Sequence, residues 1–351
     1  MKEKDLNYAI SILKGEQTNI EPDWFSVLGF LSFHRIQGLF YNRAKRRGIL
    51  LPKKVENILR GTFEKQKRKT IFLRKQIREI SEKLRYAGAK HLLLKGSVLT
   101  NISEEDVRIY EDGERISNDI DILVKPDGIT EVSKTLYELG FVQGVYNVEE
   151  NKIEEFSRLE IVKRRMNRGE VAPFVKMTGN TEFPFVEVDI NFSLGNTPED
   201  GKDLLSAMID AASIYKGKVY MSVADEELFF LHLIMHQYKE SCLLFMVERG
   251  KELDIYKLAD IYYLLKENVL DFERLKALVK EYGLEQKSGV VLQQVGEIFC
   301  DEDILKLSEC FQYCQPKIID YETKKTYEWQ ATLQTRLCTF STKKYLKEVE
   351  T

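Results

Sequence analysis

The 351-residue chain carries 53 basic and 56 acidic residues, a formal charge of -3, so no global excess of either sign argues for a nucleic acid or a membrane surface as partner. Its length and 43% hydrophobic content suffice for two or three packed units around ordinary cores. The charged amino terminus lacks the apolar run of a signal peptide and no later stretch reaches the length of a membrane span, so a cytoplasmic protein that does not enter the membrane is expected; five scattered cysteines fit reduced thiols rather than a disulfide framework.

Residues 1–87 read as a helical region. Val27, Leu28, Leu31, Ile36, Leu39 and Phe40 fall at near-helical spacing. After Pro52 an amphipathic stripe runs through Val55, Ile58, Leu59, Phe63, Ile77, Ile80 and Leu84, and Gly88 offers a stop. Residues 91–95 (HLLLK) are too short for a helix and abut Gly96, which predicts a buried strand, a Gly96-Ser97 turn and a short helix. Residues 103–115 are mostly charged and contain an Asp112-Gly113 turn signal, so a mobile acidic loop is expected there. Residues 118–124 (NDIDILV) predict a strand with one exposed end, 126–140 a helix closed by Gly140, and Phe141-Val142 the start of another extended stretch. Residues 149–168 show no clear period.

The segment 185–192 (FVEVDINF) alternates cleanly, with Glu187, Asp189 and Asn191 on one face and Val186, Val188, Ile190 and Phe192 on the other. Beyond 199 the period is helical again: a helix to about 214, an extended piece at 218–222, then helices at about 225–240, 250–267, 271–282, 286–299 and 320–340. The expected fold class is α+β: a small mixed β-sheet core at 88–222, flanked by an N-terminal helical region (1–87) and a C-terminal one (223–351).

Asp119 and Asp121 stand two apart on one predicted strand and so share a face, while Ile120 and Ile122 enter the core. Carboxylates clustered on rigid strands are what phosphoryl and nucleotidyl transfer require, because they hold two Mg²⁺ (or Mn²⁺) ions against the reacting phosphates. Asp189 completes the cluster if its strand is a neighbour. Upstream, Gly96 permits close approach of the backbone to a phosphate, the Ser97 hydroxyl adds a donor, the start of the helix favours an anion, and Lys95 and Arg115 are nearby cations.

The order LLLKGS (92–97), RISNDIDILV (115–124) and VEVDINF (186–192) resembles the glycine-serine, paired-carboxylate and third-carboxylate motifs of the polymerase-β-like nucleotidyltransferase superfamily. More narrowly, the chain resembles the bacterial family described as uncharacterised nucleotidyltransferases. LGFLSFHRIQGLFYNRA (28–44), around His34, is similar to that family's amino-terminal helical signature. LFFLHLIMHQYK (228–239) and LDIYKLADIYYLL (253–265), with His232, His236 and Asp260, are similar to its carboxy-terminal helices.

The resemblance spans about residues 25–267. It implies an Mg²⁺-dependent enzyme that takes an NTP, ATP among the candidates, and passes the nucleoside monophosphate to an acceptor, with pyrophosphate released. Asp119, Asp121 and Asp189 would be its catalytic and metal-binding residues, and Lys95, Gly96, Ser97 and Arg115 its nucleotide contacts. Two departures stand out: the interval between Gly96 and Asp119 is long, and Asn191 replaces a histidine that the family commonly carries two residues after the third carboxylate. Asparagine cannot shuttle protons near neutral pH.

An Asp-x-Asp pair alone is common on surfaces; the motifs on either side give this one its meaning. His232 and His236 lie one helical turn apart without a following glutamate, which favours a core or substrate-pocket role over zinc, with Asn191 and Asp260 as further pocket candidates. Asp260 is also available as a buried partner for such a histidine or for a lysine. The basic stretches at 65–75 and 163–168 lack interleaved aromatics and read as solvated helix faces, so no nucleic-acid partner is expected. Transfer of a nucleotide to protein, or a catalytically silent nucleotide-binding module, are the alternatives to a small-molecule acceptor.

Overall fold

Short apolar runs and alternating segments form the strands of the protein. The structure, a computed structural model, describes residues 1–102, 109–168, 171–195, 197, 199–267 and 269–349. Strands β1 (Leu92–Leu93), β2 (Ile120–Leu123), β3 (Val142–Asn147), β4 (Lys152–Glu155), β5 (Phe174–Met177) and β6 (Phe185–Asn191) make one sheet in the order β1-β2-β6-β5-β3-β4. β2 and β6 pair parallel and the other neighbours antiparallel. With helices making up most of the rest, the chain is α+β, as expected.

The strands expected at 91–95, 118–124 and 185–192 are β1, β2 and β6, and the helix expected at 126–140 is a 3₁₀ turn, Pro126–Gly128, followed by the helix Ile129–Glu138. The segment without a clear period holds the exposed strand β4 and the helix Arg158–Arg168, and neither carries a wide apolar stripe. Two expectations fail. The helix expected to reach 214 stops at Asp210, and Ser213–Lys216 (β7) pairs instead with Tyr220–Val223 (β8). In place of a helix over 320–340 the chain forms β9 (Ile318–Ile319), β10 (Thr326–Trp329), a short helix Leu333–Leu337 and β11 (Leu346–Val349). Burial of Trp329 against Leu244, Val247 and Ile318 overrides the local helix propensity there.

The expected mobile loop at 103–115 lies outside the described residues as far as 108. The rest of it is packed rather than mobile, with Ile109, Tyr110, Glu114 and Arg115 buried. Three of its charges are satisfied by partners far away in sequence: Asp112 by Arg74 and Lys218, Glu114 by Asn42 and Arg43, and Arg115 by Asp260.

The chain packs as two compact units, one made of residues 1–66, 113–116 and 233–351, the other of 67–112 and 117–232. The second unit holds the six-stranded sheet, whose interior includes Leu92, Leu93, Ile120, Ile122, Phe174, Val186, Val188 and Ile190, all at 0% exposure. At about 1.5–3 kcal/mol for each large side chain removed from water, this layer fixes the strands that carry the aspartates.

The first unit joins amino-terminal and carboxy-terminal helices around Ile12, Leu13, Phe40 and Phe299, and the Tyr263 hydroxyl donates to the Leu13 carbonyl at 2.8 Å. His34 sits in the same unit, its Nε2 donating to the Leu337 carbonyl at 3.2 Å, and burial lowers its pKa to about 4 despite the raising influence of the Leu337 and Leu253 carbonyls. Between pH 6.5 and 4 the unfolded chain therefore binds a proton that the folded chain excludes. Stability falls as pH drops through that window, by about 3 kcal/mol from this group alone. Unfolding followed by tryptophan fluorescence reads the first unit, because Trp24 and Trp329 both belong to it. The fall from pH 6.5 to 4 is expected to be shallower in a His34→Phe variant; an unchanged slope would exclude His34 as its source.

Candidate active site

Strand register assembles the aspartates. The parallel pairing of β2 and β6 sets Asp121 opposite Asp189 and Ile122 opposite Ile190, so the two carboxylates leave the sheet on one face while the isoleucines enter the core. Asp119 lies at the bend just before β2, and it and Asp189 are half-buried, whereas Asp121 is buried. The clean alternation of 185–191 brings Glu187 and Asn191 to the same face, where the Asn191 amide donates to Asp121 Oδ1 at 3.3 Å.

On the other side of β2, the antiparallel register of β1 continues with the Leu94 N–H donating to the Asp121 carbonyl at 3.1 Å. The chain turns at Lys95, which adopts φ +47°, a left-handed conformation that costs a non-glycine residue of order 1 kcal/mol. That turn starts the helix Lys95–Leu99 and leaves the Lys95 ammonium donating to Asp121 Oδ1 at 2.8 Å. Two residues on, Ser97 is buried and its hydroxyl has no hydrogen-bond partner among the described residues. An unsatisfied buried hydroxyl costs about 1–3 kcal/mol, so a ligand oxygen accepting from it would recover that loss.

The face is electronegative. Burial raises the pKa of Glu187, the charges of Asp119 and Asp121 raise it further, and Lys69 partly offsets them. Among the described residues no group of three His, Cys, Asp or Glu side chains is placed to hold a metal ion as it stands, and one oxygen of Asp121 is held by Lys95 and Asn191. The donor type is nevertheless the one that Mg²⁺ and Mn²⁺ prefer. Asp119, Asp121 and Asp189 offer hard carboxylate oxygens, and the repulsion that Glu187 meets from Asp119 and Asp121 favours a cation beside them.

The remaining sequence candidates divide between the units. His232 is buried in the second unit, with its ring 6.4 Å from that of Phe229. His236, in the first, has Nε2 3.6 Å from Glu240 Oε1. Arg115 and Asp260 form a buried fork in the first unit, Nε to Oδ1 at 2.8 Å and Nη2 to Oδ2 at 2.7 Å, and Arg115 also donates to the Ile116 carbonyl. The buried partner shown for Asp260 is an arginine rather than the histidine or lysine considered from the sequence, and bidentate geometry favours it. The influence of Lys69 on Glu187 had no local signal, since the two lie far apart in the chain.

No curated protein and no solved structure matches the chain. Residues 21–299 match the family described as uncharacterised nucleotidyltransferase, which covers most of the chain and includes every aspartate named above. The chain belongs to that family, whose activity is nucleotidyl transfer.

Proposed function

We propose that the face shared by β2 and β6 is the active site of a polymerase-β-like nucleotidyltransferase that transfers a nucleoside monophosphate from an NTP to a small-molecule acceptor. The observation that carries this reading is the register of Asp121 against Asp189, with the unpartnered Ser97 hydroxyl on the helix that follows the adjoining strand. Two Mg²⁺ (or Mn²⁺) ions held by Asp119, Asp121 and Asp189 would neutralise charge on the attacking and leaving oxygens. The protein supplies the positioning. Ser97 donates to a triphosphate oxygen, and Lys95 stands where it can exchange Asp121 for a phosphate oxygen. Half-buried Asp189 accepts the acceptor's proton as the acceptor oxygen bonds to the α-phosphorus and the α–β bridging bond breaks, and pyrophosphate leaves with that electron pair.

Thermal unfolding in chelator, in Mg²⁺ and in Mg²⁺ with each of ATP, GTP, CTP and UTP tests the site. One NTP with Mg²⁺ is expected to stabilise the protein by about 2.7 kcal/mol at a hundredfold excess over its Kd, and an Asp119→Ala/Asp121→Ala variant is expected to lose that gain. Equal stabilisation of the variant would exclude the aspartate face. Labelled NTP with a cell extract is then expected to yield a labelled small molecule. Label in protein would replace that acceptor by a polypeptide, and no aspartate-dependent product would leave a silent nucleotide-binding module.

A further inference from the structure

Tyr256, near the start of the helix Ile255–Lys266 in the first unit, has three cations around its ring. The guanidinium carbons of Arg35 and Arg115 lie 4.9 and 5.5 Å from the ring centroid, and Lys257 Nζ lies 5.5 Å from it. Two of the three have carboxylate partners: Arg115 is forked to Asp260, and Lys257 contacts Glu240 and lies 3.2 Å from Asp254. Arg35 differs. Among the described residues no carboxylate stands within ion-pair distance of it, and its one side-chain hydrogen bond is a long one, Nη1 donating to the Tyr256 hydroxyl at 3.5 Å. The carboxylate whose charge reaches Arg35, that of Asp254, is already committed to Lys257.

The position of Arg35 is costly in two ways. It is half-buried, so its N–H groups give up part of their hydration, and most of its five donors meet no acceptor among the described residues. It also adopts φ +59° in the turn between the helices Trp24–Phe33 and Gln37–Arg46, a conformation that glycine would take with less strain. An arginine held in a strained turn against a tyrosine, with no carboxylate of the described residues within ion-pair distance, is organised for an anion that comes from outside the chain.

We propose that Arg35 and Tyr256 form an oxyanion-binding site, built wholly within the first unit, that takes the phosphate group of a phosphorylated small molecule. The guanidinium offers paired parallel N–H donors, a geometry that matches two oxygens of one phosphate, and the tyrosine hydroxyl adds a donor from a second direction. The Arg115–Asp260 fork and the Lys257 contacts hold the wall behind the ring, so the ligand meets a site whose side chains are already ordered. The site does not depend on the nucleotidyl-transfer reading.

The test is titration of the full chain with inorganic phosphate, in chelator and at constant ionic strength, followed by calorimetry. Saturable binding is expected, weakened at least about tenfold in Arg35→Gln and less in Tyr256→Phe, as loss of a charge-assisted pair and of a neutral hydrogen bond predict. Arg35→Lys, which keeps the charge and loses the fork, is expected to fall between, and it decides the matter with Tyr256→Phe if Arg35→Gln does not fold. The titration needs neither metal nor NTP and its variants leave the aspartate face intact, so the two ideas fail separately. Acetate competing as well as phosphate would keep the oxyanion site and make its ligand a carboxylate. Absence of saturation in the wild-type protein, or equal phosphate affinity in the Arg35 and Tyr256 variants, would overturn the proposal.

Discussion

Asp121→Asn is expected to lower nucleotidyl transfer by at least about a hundredfold while leaving the fold intact. Asparagine preserves the shape of the side chain and can still accept from Lys95 and Asn191 at Oδ1, so the register of β1, β2 and β6 has no reason to change. What is lost is the charge. A loss of that size is typical when a group aimed at the reacting phosphates or their counter-ions is removed. The companion expectation has the opposite sign: in chelator, Asp119→Asn should melt no lower than the wild-type protein and somewhat higher, because Asp119 is one of the charges that disfavour ionised Glu187. Transfer assayed as labelled pyrophosphate release, together with melting in chelator, checks both. An Asp121→Asn protein with wild-type turnover would remove this face from catalysis, and an Asp119→Asn protein that melts well below wild type would make its carboxylate a structural group.

The sheet face was legible because its signal is local. The alternation of 185–191 and the DID pair each specify which side chains share a face, and no long-range information is needed for that. Pairing of the two strands was not local. β2 and β6 are neighbours only because the intervening chain, with β3, β4 and β5, crosses back to the sheet, and nothing in NDIDILV or FVEVDINF sets their register. β5 escaped notice for a related reason: FVKM is too short to show a period, and its pairing with β6 and β3 makes it a strand. The segment 320–340 misled because TKKTYEW contains no turn residue, and only its packing against Leu244, Val247 and Ile318 in three dimensions makes part of it a strand. The charged residues at 109–115 misled in the opposite direction. Charge usually marks solvent, and here Asp112, Glu114 and Arg115 each meet a counter-charge drawn from a distant part of the chain.

The fork between Arg115 and Asp260 yields the largest stability change expected of a single substitution in the first unit. Both side chains are almost fully removed from water, at 6% and 2% exposure, and each satisfies the other through two short hydrogen bonds. Arg115→Met leaves Asp260 as a buried charge without its counter-charge, and it also strips a donor from the Ile116 carbonyl; a loss of about 3–5 kcal/mol is expected. Asp260→Leu should cost a similar amount for the reciprocal reason. The double variant Arg115→Met/Asp260→Leu should be less destabilised than either single variant, since the desolvation penalty of both ions disappears along with their attraction. Urea unfolding followed by the fluorescence of Trp24 and Trp329 reports on the unit that contains the pair. If Arg115→Met lost less than about 1 kcal/mol, the pair would behave as an exposed ion pair does, and its burial would not be setting its energy. If the double variant lost the sum of the two single losses, the two side chains would be acting independently, contrary to a fork in which each is the other's principal partner.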